Sequence, residues 1–160
     1  MFGRAKVNPD ARQPCIEYLV RLMALVAKQD DASARYNDAL IRSGGLATAL
    51  LDDAVSELAH FARPIEAEHS ALGSVPAEAM ESYGLWQQVW LQYRMWCEVQ
   101  AAVIAAGDKA TPEALQLNRT YLAESERTRK RAEAAELRLM KCLRMNASEV
   151  QQVMTATSRH

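Results

Sequence analysis

Two Glu-x-x-His pairs are the most suggestive arrangement of chemically active residues in the chain. Glu57 precedes His60, and Glu66 precedes His69. On a helix this spacing places a carboxylate and an imidazole on one face, as di-iron bundle sites require. Such a site also needs the pairs on different helices and two further inward glutamates, whereas here one segment carries both pairs with Pro64 between them. A solvated acidic face is therefore the favoured interpretation, and we expect no metal site and no cofactor.

The cysteines give no support for nucleophilic catalysis. Cys15, Cys97 and Cys142 are odd in number, widely spaced and without a neighbouring histidine, and no serine lies in a nucleophile elbow. All three fall at apolar helical positions, which predicts buried thiols in a reducing compartment. We therefore expect no catalytic residue, a protein that is not an enzyme, and a cytoplasmic location, with the cytoplasm of a bacterial host as one option.

A dense cluster of cations is formed by Arg127, Arg129, Lys130 and Arg131. It belongs to a charge asymmetry hidden in the net charge of −1: residues 52–81 carry a net of −6, and residues 119–144 a net of +4. Two interpretations remain open. The cations either cover a solvated face balanced by nearby glutamates, or they contact DNA or the acidic segment of a neighbouring subunit.

A row of aromatic residues precedes this cluster. Tyr83, Trp86, Trp90 and Tyr93 recur at steps of three and four, and Trp96 lies beside them. Rings at such spacing stack bases or hold a ligand in some proteins, but on a heptad stripe they more often pack against a partner helix. We favour packing, with Trp96 free to contact a third helix or another subunit.

The packing partner is expected in the following segment, where small residues keep the same rhythm. Folding the chain back at Gly107 places Trp86 opposite Ala132 and Trp90 opposite Thr128. Large residues opposite small ones allow two helices to approach closely. The same register places Gln100 opposite Asn118 and Tyr93 opposite Ser125, and the first of these would be a buried polar pair that fixes register.

The sequence thus predicts an all-α fold built on a long antiparallel, coiled-coil-like helical hairpin. We divide the chain into a flexible basic arm (1–13), an N-terminal helical segment (14–73), the hairpin with an oligomerisation role (74–145) and a short terminal helix or tail (146–160). Residues 28–31 either break the first helix or form an exposed turn of a longer one. No apolar run approaches the roughly 20 residues that cross a bilayer, so we expect no membrane partner.

A second apolar face is predicted on the first arm of the hairpin. Leu85, Val89, Trp96 and Val99 lie off the heptad stripe, and a lone hairpin would leave them exposed. We therefore predict that they are contacts between subunits of a homo-oligomer.

The order of features from Glu81 onward resembles the small terminase subunits of tailed bacteriophages. The first arm reads Tyr-x2-Trp-x3-Trp-x2-Tyr-x2-Trp from Tyr83 and ends in Ile-Ala-Ala-Gly at Gly107. A short loop, a charged second arm and Leu-Arg-Met-Asn-Ala-Ser before a brief helix follow. The resemblance covers about half the chain. It implies a ring-forming, non-catalytic subunit that binds DNA and regulates a large motor subunit.

Two functions stay open from the sequence. The first is an oligomeric, small terminase-like phage DNA-packaging factor. The alternative is a helical protein-interaction module, such as a secretion-type chaperone, an adaptor or a granule-coating protein, with no nucleic-acid role. Members of the terminase family usually carry an N-terminal helix-turn-helix, whereas the segment from Cys15 to Ala62 contains no basic recognition helix.

Overall fold

The computed structural model describes residues 8–44 and 49–155, without the side chain of Phe61. Within these ranges the chain forms helices and no strand. The α-helices are α1 (Pro9–Arg42), α2 (Ala49–Ser70), α3 (Met80–Ala106), α4 (Pro112–Cys142) and α5 (Ala147–Thr155). The predicted all-α fold is confirmed, and α3 and α4 form its helical hairpin, the most extensive helix pair in the molecule.

Consecutive long helices run antiparallel, and α1 runs parallel to α3. Ion pairs connect α1 to α2 and α2 to α3. Along each pair of helices, residues further along one helix pair with residues nearer the start of the next, as antiparallel packing requires. Between α1 and α3, Tyr18 bonds Ser82 and Tyr36 bonds Gln100, each across 64 residues. The hairpin is therefore one half of a four-helix arrangement in which α1 and α2 cover α3.

Local capping explains where the helices begin. Asn8 accepts a hydrogen bond from the backbone N–H of Asp10 at 3.1 Å, and Pro9 occupies the first turn. The helix therefore starts within the predicted flexible arm, which corrects that prediction for residues 9–13; residues 1–7 lie outside the described residues. At α4, the Thr111 hydroxyl accepts from the N–H of Ala114 at 3.2 Å.

Residues 28–31 belong to one longer helix, which is the second of the two alternatives that the sequence left open, and Pro64 does not end its helix either. Helix α1 continues through residues 28–31, where Gln29 is buried and Lys28 pairs with Glu68 of α2 at 2.7 Å. Helix α2 continues through Pro64, although a proline removes one backbone hydrogen bond. Leu58 and Ile65, on either side of Pro64, are each 1% exposed, so burial of both flanks favours a continuous helix.

The interior consists of two clusters of buried side chains along α3. The first joins the N-terminal half of α1 to Trp86, Val89 and Trp90 of α3, the end of α4, and Val153 of α5. The second joins the other half of α1 to α2 and to Tyr93 and Trp96 of α3. Helix α3 supplies aromatic rings to both clusters and so links the two halves of the molecule.

The prediction that α3 exposes a second apolar face is wrong. Val89 is fully buried and Trp96 is 8% exposed, while Leu85 and Val99 are half-buried. Trp96 packs edge-on against Tyr36 of α1, with ring centroids 5.8 Å apart. Because α1 and α2 cover this face within one chain, these four residues do not form the large exposed patch expected of a subunit contact.

The start of α5 is capped at a position other than the one that sequence spacing indicates. Sequence spacing indicates a capping box from Ser148 to Gln151. In the structure the side chains of Asn146 and Glu149 each bond the other's backbone N–H, at 2.9 and 2.8 Å. Among the helices that the structure describes, none has a stretch long and apolar enough to span a membrane.

Candidate functional site

The six residues predicted for the hairpin seam lie in the interior or at its edge. Tyr83 is half-buried, and the remaining five are buried: Trp86, Trp90, Tyr93, Thr128 and Ala132. Trp86 donates its indole N–H to Glu136 of α4 at 3.3 Å, one turn beyond Ala132. Trp90 stacks on Trp86 with centroids 5.0 Å apart and meets the ring of His69 of α2 edge-on at 6.0 Å. The aromatic row of α3 therefore packs against α2 as well as against α4.

The predicted polar pair of the seam is not formed as a hydrogen bond. Gln100 donates to the hydroxyl of Tyr36 at 2.6 Å, and so bonds α1 instead of Asn118. The side-chain nitrogen of Asn118 is buried without a hydrogen-bond partner. Helix α1, which is not part of the hairpin pattern, accepts the hydrogen bond from the Gln100 side chain. The side-chain nitrogen of Asn118 is therefore left without a partner.

The prediction of three buried cysteines is correct for two of them. Cys15 and Cys97 are buried, and desolvation raises their thiol pKa values to about 11 and about 12. Cys142 is exposed at the last residue of α4, although the neighbouring Leu143 is buried. The predicted heptad stripe of α4 is therefore not buried at its last position, Cys142.

The two Glu-x-x-His pairs are engaged in ordinary structural contacts. Glu57 pairs with Arg35 at 3.1 Å and Glu66 with Arg94 at 2.7 Å. His69 is fully buried, stacks on Tyr83 and bonds Gln87 through Nδ1 at 2.9 Å. Burial lowers the pKa of His69. Within residues 8–44 and 49–155 no group of three or more His, Cys, Asp and Glu side chains is placed to hold a metal ion.

The basic cluster of α4 divides into one structural cation and three solvent-facing ones. Arg129 forms a two-pronged contact with Asp30 of α1, at 2.6 and 3.1 Å, and also bonds Glu133 at 2.9 Å. Hydrogen bonding to Asp30 raises the pKa of Arg129, which stays charged. The side chains of Arg127, Lys130 and Arg131 form no ion pair with any described residue.

Exposed apolar side chains accompany these cations on α4. Of the nine large apolar residues that are exposed among the described side chains, four lie on this helix: Leu115, Leu117, Leu122 and Leu137. Helix α4 packs extensively against α3 alone. Its remaining surface therefore combines apolar and cationic groups that no other described part of the chain covers.

A groove that sequence reasoning missed lies between α1, α4 and α5. It encloses about 770 Å³, a volume typical of ligand pockets. Trp86 of α3 forms its inner end. The other apolar lining residues are Met23, Val26 and Ala27 of α1, Leu137 and Met140 of α4, and Val150 and Met154 of α5. The polar lining residues are Asp30, Asp31, Arg129, Glu133 and Glu136.

Glu136 is the unusual member of this groove. It is 6% exposed, and among the described residues it has no cationic ion-pair partner. Desolvation raises its pKa to about 7, with Glu133 adding to the rise, while the Trp86 hydrogen bond and Arg129 oppose it. A carboxyl in this environment binds a proton or a cation readily.

The groove gives only a weak signal in the sequence. Arg129 and Glu136 are seven residues apart and lie on one stripe of α4 together with Leu115 and Leu122. A second stripe beside the seam indicates a second contact, yet it does not reveal which helix lies opposite or how far away. No family model, curated protein or solved structure shows significant similarity to the chain.

Proposed function

We propose that the chain is a non-catalytic helical assembly protein whose copies associate through the uncovered side of α4. The observation that carries this proposal is the combination of exposed leucines and unpaired cations on one helix. Pairing within the chain lowers the local charge: Asp30 and Glu81 reach Arg129 and Arg138, and so reduce the net of residues 119–144 from +4 to +2. A surface that is moderately charged and partly apolar suits a protein partner better than a continuous cationic track.

A second copy offers the complementary surface. Asp52 and Asp53 are exposed at the start of α2, and no described side chain pairs with them. Contact between α4 of one copy and α2 of the next uses different patches on the two copies. Such a head-to-tail interface builds rings when it closes and filaments when it does not.

The assembly proposal is tested by reversing charges and measuring mass by light scattering. We expect the wild type to be oligomeric. The variant R127E/K130E/R131E and the variant D52K/D53K should each lose association when alone, because like charges then face each other. Mixing the two should restore complexes, since the acidic α4 of one then meets the basic α2 of the other. A monomeric wild type, or a mixture that stays monomeric, contradicts the proposal.

A phage DNA-packaging factor of the small terminase kind is the second candidate. It is favoured by Arg127, Lys130 and Arg131, which face solvent and form no ion pair with any residue that the structure describes. In this case the oligomer would bind DNA and regulate a large motor subunit. Gel-shift titration of a random-sequence duplex should show binding at low salt that weakens steeply with added salt, and about three phosphate contacts should be lost in R127E/K130E/R131E. No shift at low salt removes this candidate.

A further inference from the structure

The groove between α1, α4 and α5 combines a deep apolar interior with an excess of acidic groups. Met23, Val26 and Met140 provide apolar walls. The polar lining residues comprise four carboxyl groups and a single cation, Arg129, which is already engaged by Asp30 and Glu133. Asp31 pairs with Arg35, which lies outside the lining, so among the described residues Glu136 is the lining carboxyl that has no cationic ion-pair partner, and the groove favours an occupant that is both apolar and positively charged.

Glu136 gives this preference a precise location. Its carboxyl is more than nine-tenths buried, lines the groove and accepts one hydrogen bond, the 3.3 Å contact from Trp86. A buried carboxylate without a cation is unfavourable, and a cation placed beside it removes that cost. Arg129 does not supply this cation, since it forms its ion pairs with Asp30 and Glu133.

We propose that this groove is a binding site for a small organic ammonium ion, with the charged nitrogen against Glu136 and the apolar body between α1, α4 and α5. The Trp86 indole would hold the carboxylate in position through its N–H. Helix α5 would close the outer side, since Val150 and Met154 line the groove and Val153 anchors the helix in the core. This site shares Leu137 with the α4 surface proposed for assembly but is centred on Glu136, and neither proposal requires the other.

Protonation of Glu136 should compete with the ligand. The charged or titratable groups near it or in the groove lining are Tyr18, Asp30 and Asp31 of α1 and Arg129 and Glu133 of α4; α3 and α5 contribute Trp86, Val150 and Met154, which carry no charge. Tyr18 is neutral at neutral pH because burial raises its pKa. Since the pKa of Glu136 lies at about 7, binding should strengthen as the pH rises through neutrality.

The test uses three probes of equal length: octylamine, which is a cation at neutral pH, octanol and octanoate. Isothermal titration calorimetry of the full chain at about pH 8 should show the amine binding at least about tenfold more tightly than the alcohol, and octanoate most weakly. Glu136→Gln should reduce affinity for the amine by about tenfold or more and leave the alcohol unaffected. Glu126→Gln, an exposed acid of the same helix outside the groove, should change neither.

A second variant separates loss of charge from loss of fold. Ala27→Phe fills the groove from α1 without altering any charge and should abolish binding of all three probes, while circular dichroism shows retained helix. The proposal is overturned if octanol binds the wild type as tightly as octylamine. It is equally overturned if Glu136→Gln binds the amine like the wild type, or if the amine gives no saturable heat.

Discussion

Glu136 shows at the scale of one residue how a single side chain changes the character of a helix face. Sequence patterns count it among the glutamates that balance the basic cluster on a solvated face. In the structure it is buried against Trp86, and its pKa is raised to about 7, first by desolvation. The difference arises because residues of α1 and α5 lie across the groove from this face of α4, and neither helix is evident in the spacing of α4.

The stability of the fold should therefore depend on pH through Glu136. The folded-state pKa of about 7 exceeds the ordinary value of 4.5, so between these values the folded chain holds more protons than the unfolded chain. The free energy of unfolding should thus fall as the pH rises through this window. Glu136→Gln keeps an acceptor for Trp86 and cannot ionise. Urea denaturation should find it more stable than the wild type by about 1–3 kcal/mol near pH 8, and similar to it near pH 4.5.

Glu126→Gln serves as the matched control, because Glu126 lies exposed on the same helix. It should follow the wild type at every pH. Equal pH slopes for the wild type and Glu136→Gln would show that this carboxyl is solvated in the folded protein, and would also remove a support from the ammonium site.

At the scale of elements, punctuation residues and the heptad rhythm predicted most of the second half of the chain. Thr111, Pro112 and Gly107 mark the hairpin turn where they were expected, because caps act through neighbouring backbone groups. The first half was predicted less well. Residues 28–31 and Pro64 look like breaks, yet α1 and α2 run through them, since burial against other helices outweighs local preference.

Gly84 within α3 and Gly107 directly after α3 should respond in opposite ways to substitution by alanine. Gly107 has φ of +52°, and a Cβ built on it meets nothing within 4 Å. Gly107→Ala should therefore lower the free energy of unfolding by about 1–3 kcal/mol through backbone strain alone. Gly84 lies within the helix, and a Cβ there also meets nothing within 4 Å.

Gly84→Ala should accordingly raise the free energy of unfolding by about 0.5–1 kcal/mol, since alanine is the better helix former. Urea denaturation of both variants beside the wild type measures the difference. An unchanged or more stable Gly107→Ala would mean that the hairpin turn tolerates another backbone conformation. If Gly84→Ala were less stable than the wild type, a neighbouring group would have to lie against α3 at this position.

For the whole molecule, the decisive feature is that α3 carries rings into both core clusters. The sequence identified the ring positions, but it assigned them to a two-helix seam. It could not show that α1 and α2 cover the opposite face, because the contacts that bury Val89 and Trp96 join residues about 60 positions apart. An oligomer contact was predicted on that face because the two-helix seam did not include α1 and α2.

Because α3 joins the clusters, damage to one should unfold both. Leu58 is 1% exposed and belongs to the cluster distant from Trp86 and Trp90. Leu58→Ala should lower the free energy of unfolding by about 2–5 kcal/mol. Fluorescence of Trp86 and Trp90, measured with Trp96 of the Leu58 cluster replaced by phenylalanine, and helical circular dichroism should still report one coincident urea transition. Leu122→Ala, at an exposed leucine of α4, should change stability by less than about 0.5 kcal/mol.

Fluorescence that persists after the helical signal falls would indicate that the two halves unfold separately. In that event the cluster that contains the stacked Trp86 and Trp90 would stay folded, and α3 would not couple its unfolding to the cluster that contains Leu58.

Arg12 joins the first turns of α1 to the last helix. Its guanidinium bonds Glu149 at 2.7 Å and the backbone oxygen of Leu143 at 3.2 Å. Residues 137 positions apart in sequence are thus neighbours at one pole of the bundle. A covalent cross-link between positions 12 and 149 would therefore tie the first described helix directly to the last.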